Sequence, residues 1–252
     1  MHRLQKRRFL IPVLAILFLA LMACCAAAEG GQISGAVYYD RNNNGVMDEK
    51  EAAIPNAKVF LEQRGEDGSV KELAGKTISR EGDFAFAVNQ AGEYRLRVEL
   101  PRDYYFTLHG EGSRALPAQN NKSATPFFHM ADGGIETVNI GGAKSLGILS
   151  LVAFVDNNAN GGRASTEPFL RGVVGELFYE YEGETYPVAK VTSDKNGSML
   201  LRDLSPATYT LKITLPENYV VGPKGEKINT WYNCINAGEE EGTGFSDPLV
   251  LE

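Results

Sequence analysis

The stretch Asp40-Arg41-Asn42-Asn43-Asn44-Gly45-Val46-Met47-Asp48-Glu49-Lys50-Glu51 sets oxygen-bearing side chains at its first, third, fifth, ninth and twelfth places. That spacing wraps hard donors around a divalent cation. Asp40, Asn42 and Asn44 line one side, and the Val46 carbonyl turns inward. Asp48 binds directly or through a water, and Glu51 can give both carboxylate oxygens. Gly45, at the sixth place, permits the sharp bend after the first three donors. A flexible ring of six or seven oxygens suits Ca²⁺, whereas Mg²⁺ demands a tighter octahedron. The other reading of the same residues is an Asn-rich polar turn held by Asx hydrogen bonds.

A second copy follows as Asp156-Asn157-Asn158-Ala159-Asn160-Gly161-Gly162-Arg163-Ala164-Ser165-Thr166-Glu167. Its candidate ligands are Asp156, Asn158, Asn160, the Gly162 carbonyl and Glu167. Ala164 stands at the ninth place, so a water must fill that position, and Arg163 brings a positive charge nearby. Two carboxylates against three predict a weaker site, because charge count tunes calcium affinity. Strand-like residues precede each Asp, and Ile54-Pro55 with another strand-like run follow Glu51. An EF-hand needs an exiting helix there. The loop is therefore expected on a β scaffold, where an ion serves as a clamp. At 100 times its dissociation constant such an ion adds about 2.7 kcal/mol to folding stability.

The elements that hold the loops also repeat. Ile33–Asp40, Gly82–Phe86, Gly92–Leu96 and Leu100-Pro101 with Tyr104 recur as Leu149–Asp156, Gly197–Leu201, Tyr209–Leu211 and Leu215-Pro216 with Tyr219, at a near-constant offset. Within each copy Tyr94, Leu96 and Val98, and again Tyr209, Leu211 and Ile213, alternate with polar residues, the period of a half-buried strand. Gly65-Glu66-Asp67-Gly68 and Asp194-Lys195-Asn196-Gly197 supply turns between strands. The pattern predicts an all-β chain of two tandem β-sandwiches, residues 32–143 and 146–252. Gly141-Gly142-Ala143-Lys144, rich in small residues, reads as the join and as a hinge. Ile135–Ile140 alternates as a closing strand of the first unit, but Pro248–Glu252 offers the second unit no counterpart. Its sandwich is expected to expose an unpaired edge, a liability that natural proteins usually cover, to be met by a longer chain or by a strand from another one.

The combination of a strand with D-x-N-x-N-G-x-x-D-x-x-E, then G-x-F-x-F, G-x-Y-x-L and L-P before a Tyr resembles the B-type (SdrD B-like) repeat domains of serine–aspartate repeat bacterial surface adhesins. The resemblance spans about residues 32 to 252 and is closer in the first unit. It implies Ig-like, prealbumin-like Greek-key sandwiches of the collagen-adhesin-B type, bound to calcium and used as spacers or stalks on a bacterial surface. Under it Asp40, Asn42, Asn44, Val46, Asp48 and Glu51 carry over as ligands, as do Asp156, Asn158, Asn160, Gly162 and Glu167; Ala164 departs from the pattern. Related modules carry a Lys–Asn isopeptide bond promoted by an acidic residue. The runs Ile33–Tyr39 and Leu149–Val155 contain no Lys, and Val98 and Ile213 stand where the promoting Glu would be.

The chain begins with an address. A basic Met1–Arg8, an apolar Phe9–Met22 and small residues to Ala28 read as a secretory signal peptide, residues 1–28. Ala26 and Ala28 fit cleavage before Glu29, while Leu21-Met22-Ala23-Cys24 resembles a lipobox that would tether the protein to a membrane through lipidated Cys24. Either exit predicts a secreted or cell-surface protein. After cleavage at Ala28 one cysteine is left, Cys234, so no disulfide partner is expected. With 25 Lys plus Arg against 32 Asp plus Glu, the net charge is −7, which argues against a nucleic-acid partner held by bulk charge. His109 and His129 stand apart, and nucleophile-elbow, metalloprotease, phosphate-loop and dinucleotide patterns do not occur. The reading is a non-catalytic extracellular spacer that meets a host or matrix protein or a glycan. The alternative is a carbohydrate- or protein-binding module, with Trp231-Tyr232 and Tyr104-Tyr105 lining a sugar surface, or the accessory part of a larger extracellular enzyme.

Overall fold

The structure is a computed structural model that describes residues 30–144, 147–226 and 232–251; the expected signal peptide, Cys24 and Trp231 lie outside them. Every element among the described residues is a strand or a turn. The first unit contains β1 (Gly31–Tyr39), β2 (Lys58–Arg64), β3 (Val70–Thr77), β4 (Asp83–Val88), β5 (Gly92–Glu99), β6 (Tyr105–Phe106), β7 (Lys122–Ala124), β8 (Phe128–Met130), β9 (Ile135–Thr137) and β10 (Ile140–Ala143). The second contains β11 (Gly147–Val152), β12 (Val174–Tyr181), β13 (Glu184–Thr192), β14 (Ser198–Leu204), β15 (Ala207–Thr214), β16 (Ile235–Ala237), β17 (Thr243–Ser246) and β18 (Leu249–Leu251).

In the first unit one sheet runs β4-β1-β10-β6, with β9 also on β1, and the other runs β3-β2-β5-β7, with β8 also on β5. Alternation decides which side chains meet between them. Tyr94, Leu96 and Val98 of β5 are buried against Ile33, Val37, Phe84 and Phe86 of the facing sheet. Arg95 and Arg97 take the opposite face, where both guanidinium groups donate at 2.8 Å to the carboxylate of Glu62 on β2. Burial works against charge on Glu62, but the hydrogen bonds from Arg97 and Arg95 outweigh it and hold the carboxyl below its ordinary range.

The second unit repeats this plan in part. β12, β13 and β15 pair as β2, β3 and β5 do, and a separate core gathers Leu177, Met199, Leu201, Tyr209, Leu211 and Ile213. β11 pairs with β14 as β1 pairs with β4. The difference lies at the far edge. β1 holds β9 and β10 in parallel there, whereas β11 pairs only with β14 among the described residues.

Two expectations about the join are corrected. Gly141-Gly142-Ala143 is not a linker: it forms most of β10, fully buried between β1 and β6. The glycines serve close packing, since a Cβ on Gly141 would lie 2.4 Å from the Thr107 methyl and one on Gly142 would lie 2.6 Å from Ile54 Cδ1. Nor is the seam between the units free to swing. The Asn120 amide donates to the Asp203 carbonyl (2.9 Å), the Ser205 amide donates to the Ala118 carbonyl (3.1 Å), and Gln119 bridges to Leu204. His109 Nδ1 lies 3.1 Å from the Tyr179 hydroxyl with its ring edge-on to Tyr181. Burial and the charge of Arg114 push this imidazole below its ordinary range.

Candidate metal centre

The first oxygen-rich loop leaves the end of β1 and returns beside it. The Tyr39 amide donates to the Ala52 carbonyl (2.7 Å), the Ile54 amide donates to the Val37 carbonyl (3.0 Å), and Tyr38 bridges to Ala53. The second loop has the same neck, with Val155 to Pro168 (2.9 Å), Leu170 to Ala153 (2.9 Å) and a Phe154–Phe169 bridge. The backbone register of a strand thus presets the separation of each loop's first and last residues.

Inside the neck the two loops share one hydrogen-bond plan. Asp40 Oδ2 accepts from the Gly45 amide at 2.7 Å, as Asp156 Oδ2 does from Gly161 at 2.7 Å. The fifth-place amide of each, Asn44 or Asn160, donates to the first-place carboxylate (3.2 Å in both) and to the third-place amide oxygen (3.2 and 3.1 Å). The seventh-place amide, Val46 or Gly162, donates to the fifth-place Oδ1 at 2.8 Å. The twelfth-place glutamate accepts from the second-place amide with Oε1 (2.9 Å in both) and from the ninth-place amide with Oε2 (3.1 Å at Asp48, 2.8 Å at Ala164). Backbone angles agree too. Asn43 and Ala159 hold φ of 56° and 54°, and Gly45 and Gly161 hold 74° and 75°. Non-glycine residues seldom adopt the left-handed region, so matching values at matching places mark one loop built twice.

Each of these backbone bonds uses one lone pair of the oxygen that accepts it. A carboxylate or amide oxygen has a second lone pair, so the same atoms can face an ion while the backbone holds them. Asn42, Asn44 and Asp48 converge in the first loop, both side-chain amides reaching Asp48 Oδ2 (2.9 and 3.3 Å). The donor set at the first, third, fifth, ninth and twelfth places is all oxygen, the chemistry of a hard cation. Among the described residues no group of three or more His, Cys, Asp or Glu side chains is gathered tightly enough to hold a metal without help, so amide and carbonyl oxygens are integral to any such site.

The surroundings differ between copies. Asp40 is 1% exposed, and the Thr107 hydroxyl lies 2.5 Å from its Oδ2 and 2.7 Å from Asn43 Oδ1. The Asp40 amide donates to the Gly142 carbonyl of β10 at 2.9 Å. Beneath the loop, burial and then the charges of Asp40 and Glu51 push the Tyr38 phenol well above its ordinary range, while its hydroxyl donates to the Gly112 carbonyl (3.0 Å). Asp156 is only half-buried. Gly222 lies where Thr107 would, and the Gly161 carbonyl accepts from the Asn233 amide at 2.7 Å. The Arg163 guanidinium stacks on Phe169 at 4.0 Å and donates to the Glu167 carbonyl at 2.8 Å. Sequence reasoning missed Thr107, which sits in no motif; the positive charge it placed near the second loop at Arg163 lies against the Glu167 carbonyl. Of the aromatics weighed as a sugar surface, Tyr104 packs edge-on against Tyr39 at 5.5 Å beneath the Lys144 ammonium.

Fold and loops together define a class: tandem β-sandwiches whose first strand runs into a twelve-residue oxygen-rich loop. Residues 31–134 match the family model described as the SdrD B-like domain, and the first unit is such a domain. Serine-aspartate repeat-containing protein D of Staphylococcus aureus (strain Newman) is 29% identical over 184 residues, covering 73% of this chain and 13% of that protein. Serine-aspartate repeat-containing protein F of Staphylococcus epidermidis is 26% identical over 183 residues, covering 73% and 11%. Colossin-A of Dictyostelium discoideum is 26% identical over 199 residues, covering 73% of this chain and 2% of its own length. The chain thus spans a small part of each of these relatives. Among solved structures, GBS52, the minor pilin of Streptococcus agalactiae, aligns at a TM-score of 0.36 and 18% identity over 77% of this chain and 87% of that one. The Bacillus anthracis TIE protein aligns at 0.30 and 21% identity over 76% of this chain and 30% of its own.

Proposed function

We propose that this protein is a non-catalytic spacer of the bacterial cell surface, two sandwiches each clamped by a calcium ion, exported by its signal peptide. The single observation that supports the ion is the shared hydrogen-bond plan of the two loops. Six contacts recur with distances within 0.3 Å although only the first loop carries Asp at the ninth place. A turn kept only for its own stability has no need to hold every donor of a calcium loop in one register. Asp40, Asn42, Asn44, Val46, Asp48 and Glu51 would hold the first ion; Asp156, Asn158, Asn160, Gly162 and Glu167, with a water opposite Ala164, would hold the second more weakly. Bound there, Ca²⁺ supplies no reaction: it ties the end of the first strand to the residues that lead into the next. The surface role is carried over from relatives named for their serine–aspartate repeats, and the hydrogen-bonded seam between units suits a stalk.

Calorimetric unfolding of the whole chain tests the ion. Millimolar calcium should raise the melting temperature and EDTA should reverse the rise. A melting temperature that neither changes overturns the calcium clamp.

A further inference from the structure

The second unit contains an apolar groove of about 580 Å³ along the open side of β11, between Leu151–Asp156 and Tyr219–Gly222 and floored by Met199, Leu211 and Ile213. The first unit shows what belongs in such a place. There β10 lies in parallel against Val37, Tyr38 and Tyr39, and antiparallel against Tyr105 and Phe106. By the internal repeat these positions are Ala153, Phe154 and Val155 on one side and Val220 and Val221 on the other, the walls of the groove. The matched neck bonds fix that alignment, since Tyr38 bridges to Ala53 as Phe154 bridges to Phe169. Burial follows the strand. Val37 and Tyr38 are 0% exposed under β10, while Ala153 and Phe154 are only half-buried and Val220 is 66% exposed.

From this we infer that the groove is a receptor for one added β-strand, supplied by a separate polypeptide with the sequence chemistry of β10 and running parallel to β11. The register of β10 sets its chemistry: an apolar β-branched residue opposite Ala153, then two glycines opposite Phe154 and Val155, then a small residue. In the first unit those places are Ile140, Gly141, Gly142 and Ala143, all buried. In the first unit a Cβ on Gly141 would lie 2.4 Å from the Thr107 methyl and 2.8 Å from the Tyr38 ring, and one on Gly142 would lie 2.6 Å from Ile54 Cδ1; Phe154 and Leu170 hold the positions of Tyr38 and Ile54 in the second unit, so bulk at either place is disfavoured there too. Main-chain pairing gives affinity and the apolar floor gives specificity, the usual division in strand addition. A seated strand also brings a carbonyl to the Asp156 amide, as Gly142 does for Asp40. The inference rests on β pairing and needs no ion.

The test uses the 252-residue chain in EDTA and a labelled peptide of residues 134–144, the chain's own β9–β10 segment, with fluorescence anisotropy as the readout. One saturable site is expected. A peptide carrying Gly141→Val and Gly142→Val should bind roughly tenfold or more weakly, and this comparison leaves the folded chain unaltered. Joining the same segment behind residue 252 through a Gly/Ser linker should raise the melting temperature and abolish peptide uptake. Four results overturn the proposal: no binding at millimolar peptide, equal binding of the divaline peptide, a chain that self-associates through this face, or an apolar dye in the groove that the peptide fails to displace. Because EDTA is present throughout, failure here is separate from failure of the calcium clamp.

Discussion

Replacing Asp40 by Ala, beside the matching Asp156→Ala, separates what the loop owes to its own bonds from what an ion adds. In EDTA, Asp40→Ala strips the Gly45 amide of a carboxylate partner at 2.7 Å in a place water does not reach. A hydrogen bond to a charged group contributes about 1.5–3 kcal/mol. The Thr107 hydroxyl loses little, because its one proton can turn to Asn43 Oδ1, already 2.7 Å away. The Asn44 amide keeps Asn42 Oδ1 at 3.2 Å. The sum is about 2–3 kcal/mol, or roughly 10–20 °C in melting temperature for a unit of this size. Asp156 has the same bond to Gly161 but is half-buried, so water replaces part of the loss and about 1 kcal/mol is expected. In calcium at a hundred times its dissociation constant, Asp40→Ala also forfeits the ion's contribution of about 2.7 kcal/mol. Urea unfolding in EDTA and in calcium reads both quantities. Equal losses for the two variants in EDTA refute the burial argument, and equal losses of Asp40→Ala in EDTA and calcium refute the ion's share.

Gly141→Ala checks that this residue is buried strand and not linker: the added methyl meets Thr107 and Tyr38, and a loss of about 1–3 kcal/mol in urea unfolding is expected. Glu62→Gln should cost about 2 kcal/mol at neutral pH and flatten the acid limb of stability. The folded carboxyl holds its proton less readily than the unfolded one, so its stabilisation is complete above the ordinary glutamate pKa of about 4.3 and drains as pH falls below it. Wild type should therefore lose stability more steeply than the variant over roughly pH 5 to 3, as read by melting temperature.

The β character was legible because strands leave a period of two. Tyr94, Leu96 and Val98 alternate with Arg95, Arg97 and Glu99, and the structure buries the first set and not the second. The loops were legible because their donors lie within twelve consecutive residues. Thr107 and Gly142 were not, since each reaches Asp40 from far along the chain and neither belongs to a local pattern. Gly141 and Gly142 misled for a physical reason: glycine serves a flexible connector and a tightly packed strand equally well, and only the neighbours Thr107, Tyr38 and Ile54 tell the two apart. The seam failed the same test, because main-chain bonds such as Asn120 to Asp203 leave no compositional trace.

That seam has an evolutionary corollary. Its amide-to-carbonyl contacts involve atoms that every residue but proline possesses, so they survive most exchanges of Gln119, Ala118 or Leu204. What they demand is conformation: Asn120 and Asp203 sit at φ of 75° and 60°, where Asn and Asp are among the few side chains at ease. Drift in composition along this joint should leave its stiffness intact, whereas a single β-branched residue at 120 or 203 would slacken it without touching either core.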